Sequence, residues 1–217
     1  ICDFSGEQEI WRFAALGQGK PEQITDDAKT QRLALAVSPD GRHLAHTDKD
    51  GRVLLTDLKA KPRPSTRQIA QNRFDSNPIE LAWSSDGRAL AYVMPQRNLD
   101  RGQLMLYTLA DGRSTVLSSD RYDSASPAFS PDGKWLYFAS DRNFQVSNTG
   151  GPWGDRNTGP VFQRRSKLYA LALQPGLRSP FAAKDELETE AKAENKAETK
   201  SDSKADGKVG AEAKSEP

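Results

Sequence analysis

Apolar residues along this chain fall into short clusters separated by turn chemistry, and the clusters recur with a fixed period. One set is "LALAV" at 33–37, "ELAW" at 80–83 and "SPAF" at 126–129. A second is "HLAH" at 43–46, "ALAYV" at 89–93 and "WLYFA" at 135–139. A third is "RVLLTDL" at 52–58, "QLMLYTL" at 103–109 and "KLYALAL" at 167–173. A more polar fourth is "STRQIA" at 65–70 and "RSTVLS" at 113–118. Short apolar clusters of this length, bounded by turn residues, predict strands. Four strands per 46 residues is the pattern of a β-propeller blade.

Between the first and second strand of each repeat sits one small turn. It reads S-P-D-G at Ser38–Gly41 and Ser130–Gly133, and S-S-D-G at Ser84–Gly87. Proline presets φ for the first central position of a type I turn, Asp bonds back to the turn backbone, and Gly takes the left-handed conformation that starts the next strand. The motif is therefore read as a structural hairpin and not as a source of catalytic Ser or Asp. The strands that follow are apolar at nearly every position, as in "WLYFA", which predicts cover on both faces.

Upstream, "EIWRFAAL" at 9–16 and "PEQIT" at 21–25 match a third and a fourth strand. The fold class expected is all-β: an incomplete β-propeller of about three and a half four-stranded blades over residues 1–183. Propellers close with about four to eight blades, and an open stack leaves apolar end faces bare. The chain also begins at Ile1, so the expectation is a piece of something longer.

Two segments break the pattern. Residues 141–166, dense in Gly, Asn and Pro, are expected to form a loop between the second and third strands of the last blade. This insertion carries Trp153, Phe162, Arg164 and Arg165. Long loops on rigid scaffolds often bind ligands; the competing reading is that Trp153 and Phe162 only pack the loop down. Residues 184–217 are a low-complexity mix of Ala, Lys and Glu that cannot bury a core, and are expected to be a disordered linker or insertion.

Charge adds little. The tail holds 7 Lys and 10 Asp or Glu of the chain's 31 basic and 30 acidic residues, leaving 24 basic and 20 acidic in the body. Neither imbalance suggests nucleic acid. The single cysteine, Cys2, forms no disulfide within the chain. No apolar run approaches the length of a membrane span, and no signal peptide is visible.

Candidate chemistry is sparse. His43 and His46 lie three apart in a strand and point to opposite faces, so they do not share a metal. No nucleophile elbow, Walker loop or dinucleotide fingerprint occurs, and neither metal nor cofactor is expected. "HTDKDGRVLLTD" at 46–57 places Asp48, Asp50, Gly51 and Asp57 at calcium-loop positions, but His46 stands at the first and no Glu at the last. A hairpin turn is the better reading. "RFDS" at 73–76 and "RYDS" at 121–124 repeat before the first strand of a blade, with an aromatic expected to pack between blades. Arg73, Arg121 and Arg142, with Arg164 and Arg165 of the insertion, are the candidate contacts for anionic groups such as a peptide carboxylate.

The stretches "SDRYDSASPAFSPDGKWLYFASDRNF" and "KLYALALQPGLRSPFAAKDE" resemble the propeller region of the tricorn proteases, especially the bacterial tricorn-like peptidases. The resemblance covers residues 1–183 and departs from the pattern at S-S-D-G and within 141–166. It implies part of the second of two N-terminal propellers, which guides peptides to or from a serine peptidase domain elsewhere in the polypeptide. No catalytic residue carries over to this chain. Implied partners are peptides, other domains of the same polypeptide and a homo-oligomer. A cytoplasmic location is expected, with the periplasm as the alternative. A stand-alone TolB-like propeller acting as an interaction scaffold is the second reading, and a prolyl-oligopeptidase-like cap the third.

Overall fold

The structure, a computed structural model, describes residues 1–72, 80–96, 99–143, 145–146, 162–164 and 166–183. Among these there is no helix. The first sheet pairs β1 (Trp11–Arg12) with β2 (Glu22–Gln23). The second runs in order through β3 (Arg32–Val37), β4 (His43–Asp48), β5 (Arg52–Asp57) and β6 (Ser65–Gln71). The third does the same with β7 (Leu81–Trp83), β8 (Ala89–Gln96), β9 (Leu99–Thr108) and β10 (Arg113–Val116). In the last, β11 (Ser124–Phe129) and β12 (Trp135–Ser140) are joined by β15 (Lys167–Ala172), while β13 (Gln145–Val146) and β14 (Phe162–Arg164) pair with each other. All pairings are antiparallel.

This is the all-β propeller architecture with four-stranded meanders as blades. Two blades are complete, the first sheet is a two-stranded partial blade, and the last has three strands among the described residues. The insertion is not wholly a loop, because β13 and β14 form a short ribbon inside it. The charged tail, 184–217, lies outside the described residues. Residues Ile1–Leu177 make up one compact unit.

Each blade buries its neighbour through strand alternation. On β8, Leu90, Tyr92 and Met94 point into a core shared with Ala45, Val53 and Leu55 of the preceding sheet. The intervening Ala91 and Val93 point the other way, into a core with Leu104, Leu136 and Phe138. Successive side chains leave a strand on opposite faces, so an unbroken apolar run feeds two cores at once. Burying one such Leu or Val is worth about 1.5–3 kcal/mol. A third, smaller core joins Ile10 and Ile24 to Leu44. The expected cover on both faces holds for β4, β5 and β8, whereas β12 alternates buried and half-buried positions.

The first strands of successive sheets, β3, β7 and β11, lie side by side, which places them innermost in the fan. Trp83 on β7 ties two of them by donating its indole N–H to the Ala36 carbonyl at 3.0 Å. Its ring also stacks on His43, centroids 6.2 Å apart.

Candidate functional site

The repeated turn has one geometry in three places. Ser38, Ser84 and Ser130 each donate their hydroxyl to the Asp two residues on, at 2.5, 2.6 and 2.5 Å. The same oxygen accepts the backbone N–H of the residue opening the next strand, at 2.9 Å in all three. Asp40, Asp86 and Asp132 also accept the N–H of the basic residue that follows the glycine. The serine bond first, and then that backbone bond, hold the three carboxyls below the usual carboxylate range. Gly41, Gly87 and Gly133 have φ of 64°, 69° and 68°, which side-chain-bearing residues rarely adopt. The motif is a hairpin device, and its Ser and Asp are fully used by it.

The side chain of the next residue projects beyond the motif as Arg42 and Arg88 in the first two copies, while in the third Lys134 Nζ comes within 4.0 Å of Asp132. Arg42 and Arg88 line a groove of about 750 Å³ between the second and third sheets. Its apolar lining is Leu55, Ala60, Leu109 and Ala110, and its charged lining is Arg42, Asp57, Arg67 and Arg88. Arg42 donates to Asp57 at 3.1 Å, and this bond depresses the Asp57 carboxyl. Arg67 lies over the Tyr107 ring, 5.8 Å from its centroid. His43 also lines the groove, with its pKa lowered by burial. Sequence reasoning passed over these arginines; the signal was there in the basic residue after each glycine of the repeat.

The arginines singled out from the sequence sit elsewhere. Arg121 is exposed, its carbonyl accepting from Arg101 at 2.8 Å. Arg142 packs its guanidinium on Tyr169 and Phe138, at 4.7 and 5.4 Å from the ring centroids, and its Nε reaches Ser140 Oγ at 3.3 Å. Beside it, Asn143 donates to the Tyr169 hydroxyl at 2.6 Å. Together these pin the start of the insertion. Arg121 and Arg142 lie at the end of the last sheet opposite its hairpin turn, so they do not converge with Arg42 and Arg88. Arg73, Arg165 and Trp153 lie outside the described residues, and of Arg164 and Phe162 only the backbone is described. Tyr122 does not pack between blades as expected; it is 39% exposed. Its neighbour Asp123 instead accepts the Gly102 N–H at 2.7 Å.

A buried polar network joins the first two sheets. Arg32 donates to Glu9 at 3.1 Å and to Asp27 at 2.6 Å. Glu9 also accepts from the Ala28 N–H at 2.7 Å and from the Thr25 hydroxyl. On its other side Arg32 reaches His46, which contacts Thr56 and, beyond it, Thr66. Each charged member has at least one partner, which is what permits charge in such a place, while Arg32 Nε is buried without one among the described residues.

The calcium-loop pattern resolves as a hairpin. Asp48 accepts the N–H groups of Asp50 and Arg52, both at 3.1 Å, and pairs with the Arg52 guanidinium at 2.7 Å. Among the described residues no cluster of three His, Cys, Asp or Glu side chains could hold a metal. No helix of the described chain is long and apolar enough to cross a membrane.

Comparison with known proteins places this geometry. The family model described as the tricorn protease second beta propeller domain matches residues 1–216. A tricorn protease homolog of Streptomyces coelicolor is 36% identical over 150 residues, covering 69% of this chain and 13% of that protein. A TolB homolog of Chlorobium luteolum is 32% identical over 144 residues, 65% of this chain and 31% of that protein. The crystal structure of the tricorn protease superposes with a TM-score of 0.63 at 20% identity, covering 77% of this chain and 16% of that one. The chain thus spans less than a third of the length of these relatives.

Proposed function

Because the chain belongs to the family of the tricorn protease second β-propeller domain, we propose that it is a non-catalytic propeller segment that guides peptides toward or away from a serine peptidase domain outside these 217 residues. The whole-length family match is the observation that carries this reading. Support comes from the fan of inner strands, β3, β7 and β11, which lie side by side at the centre of the propeller. The partners that follow are peptides, further domains of the same polypeptide and a homo-oligomer.

The test uses the full-length protein that contains this chain. Leu35→Trp and Val37→Trp add bulk to innermost strand β3, on the face it shares with His46 and Leu44. Guidance predicts slower hydrolysis of long peptides and an unchanged rate on a short chromogenic peptide. Equal rates on both lengths, in both variants, defeat the reading. Were a stable protein partner lost while peptide turnover stayed unchanged, the chain would be an interaction scaffold of the TolB-like kind.

A further inference from the structure

The repeat supplies its own comparison at the groove between the second and third sheets. In the second sheet, Arg42 stands opposite Asp57, and the two bond at 3.1 Å. The strand register pairs His43 with Asp57 in that sheet and Ala89 with Thr108 in the third. Thr108 is therefore the structural equivalent of Asp57, and Arg88 faces a neutral hydroxyl-bearing residue where Arg42 faces a carboxylate. Arg88 is exposed, and no carboxylate pairs with it among the described residues. Arg67, held over Tyr107, contributes a second guanidinium that makes no ion pair among the described residues.

We propose that this groove receives the side-chain carboxylate of an acidic peptide segment, with Arg88 as its anchor and Arg67 as the second cation. The chain shows which ligand this turn position takes, because in the adjacent blade an internal aspartate already takes it. Guanidinium groups present forked donors matched to carboxylate oxygens. Three arginines against one aspartate leave the lining at a net charge of about +2, with His43 kept neutral by burial. The lining formed by Leu55, Ala60, Leu109 and Ala110 suits the methylene stem of a glutamate. The cavity of about 750 Å³ is large enough for two or three residues of peptide. This site lies on the face of the hairpin turns and not on the inner strands, so it neither needs nor follows from the guiding role.

The experiment takes the full chain and a fluorescein-labelled hexapeptide of Ala, Leu and two Glu, amidated at its C-terminus. Its Gln counterpart is the control, and anisotropy is read at about 0.15 M ionic strength, where diffuse surface attraction is screened. Saturable binding is expected for the Glu peptide alone. Arg88→Gln should weaken it about tenfold or more, the size expected for a charge-assisted bond. Thr108→Asp should weaken it as much, because it rebuilds the Arg42–Asp57 pairing at Arg88 and fills the anion position from within. Lys134→Gln, on the turn of the last sheet, should leave it unchanged. The proposal is overturned if Glu and Gln peptides bind alike, if neither binds, or if Arg88→Gln and Thr108→Asp both keep the wild-type affinity.

Discussion

Arg32 donates to Nδ1 of His46 at 3.0 Å, with the two residues only 4% and 0% exposed. An arginine cannot accept, so Nδ1 must carry the lone pair and the proton must sit on Nε2. Nε2 then donates to Thr56 Oγ1 at 3.0 Å, and the Thr56 and Thr66 hydroxyls bond to each other at 2.8 Å. One guanidinium thus fixes the tautomer of an imidazole that connects it, through Thr56, to Thr66 on β6.

Protonating His46 breaks that order. Burial, and then the Arg32 charge, lower its pKa from 6.5 to about 3. The unfolded chain binds the proton below pH 6.5 and the folded chain does not, so this contribution is complete above 6.5 and drains away as pH falls toward 3. Between pH 7 and pH 5 the loss is about 2 kcal/mol. Urea denaturation at the two pH values measures it. His46→Gln keeps an acceptor for Arg32 and a donor for Thr56 without titrating, and should remove most of the difference. An unchanged pH dependence in that variant counts against the assignment.

Trp83→Phe keeps an aromatic body on β7 but deletes the N–H that reaches Ala36. The Ala36 carbonyl loses a partner between two sheets. A cost of about 1–3 kcal/mol is expected, read as a lower urea midpoint with an unchanged slope.

Gly102→Ala tests how closely two sheets approach. A methyl group there would fall 2.3 Å from Val93 Cγ1 and 2.6 Å from the Ser124 carbonyl oxygen. Neither distance is tolerable, and the Ser124 oxygen is backbone. Destabilisation of about 1–3 kcal/mol is expected from overpacking, and a thermal melt within about one degree of wild type would contradict it.

Ser84→Ala removes an oxygen that accepts from the Ala89 N–H and donates to Asp86. The turn should lose about 1–2 kcal/mol. The Asp86 carboxyl, left with its backbone bonds and the Arg88 charge, should titrate closer to its ordinary value in an NMR pH series.

The 46-residue period made the sheets legible, because each hairpin turn is written in local chemistry and each apolar run in composition. The limits of the strands were less so. β9 begins at Leu99, where apolar clustering suggested 103, because Pro95 pairs with Gly102 and extends the hairpin. The polar network was invisible, since Glu9, Arg32 and His46 meet only after two sheets pack. His46 read alone is a histidine in a strand. The groove escaped notice for a related reason: Arg42 and Arg88 are surface residues individually, and their difference appears only when strand register sets Asp57 against Thr108. The aromatic bed of Arg142, Phe138 and Tyr169, was equally hidden, because it lies on two different strands.

Because the strands of each complete sheet are consecutive in the chain, a ribosome delivers a finished blade before it starts the next. At about 5–20 residues per second, one 46-residue repeat takes roughly 2–9 s to emerge, while a hairpin closes in about microseconds. Each new blade therefore meets a template that is already set. The last sheet breaks this schedule. Residues 141–166 separate β12 from β15, so the free edge of β12 waits roughly one to five seconds for its partner. That interval, and not any step inside the regular repeats, is when the nascent chain is most open to pairing with a stranger.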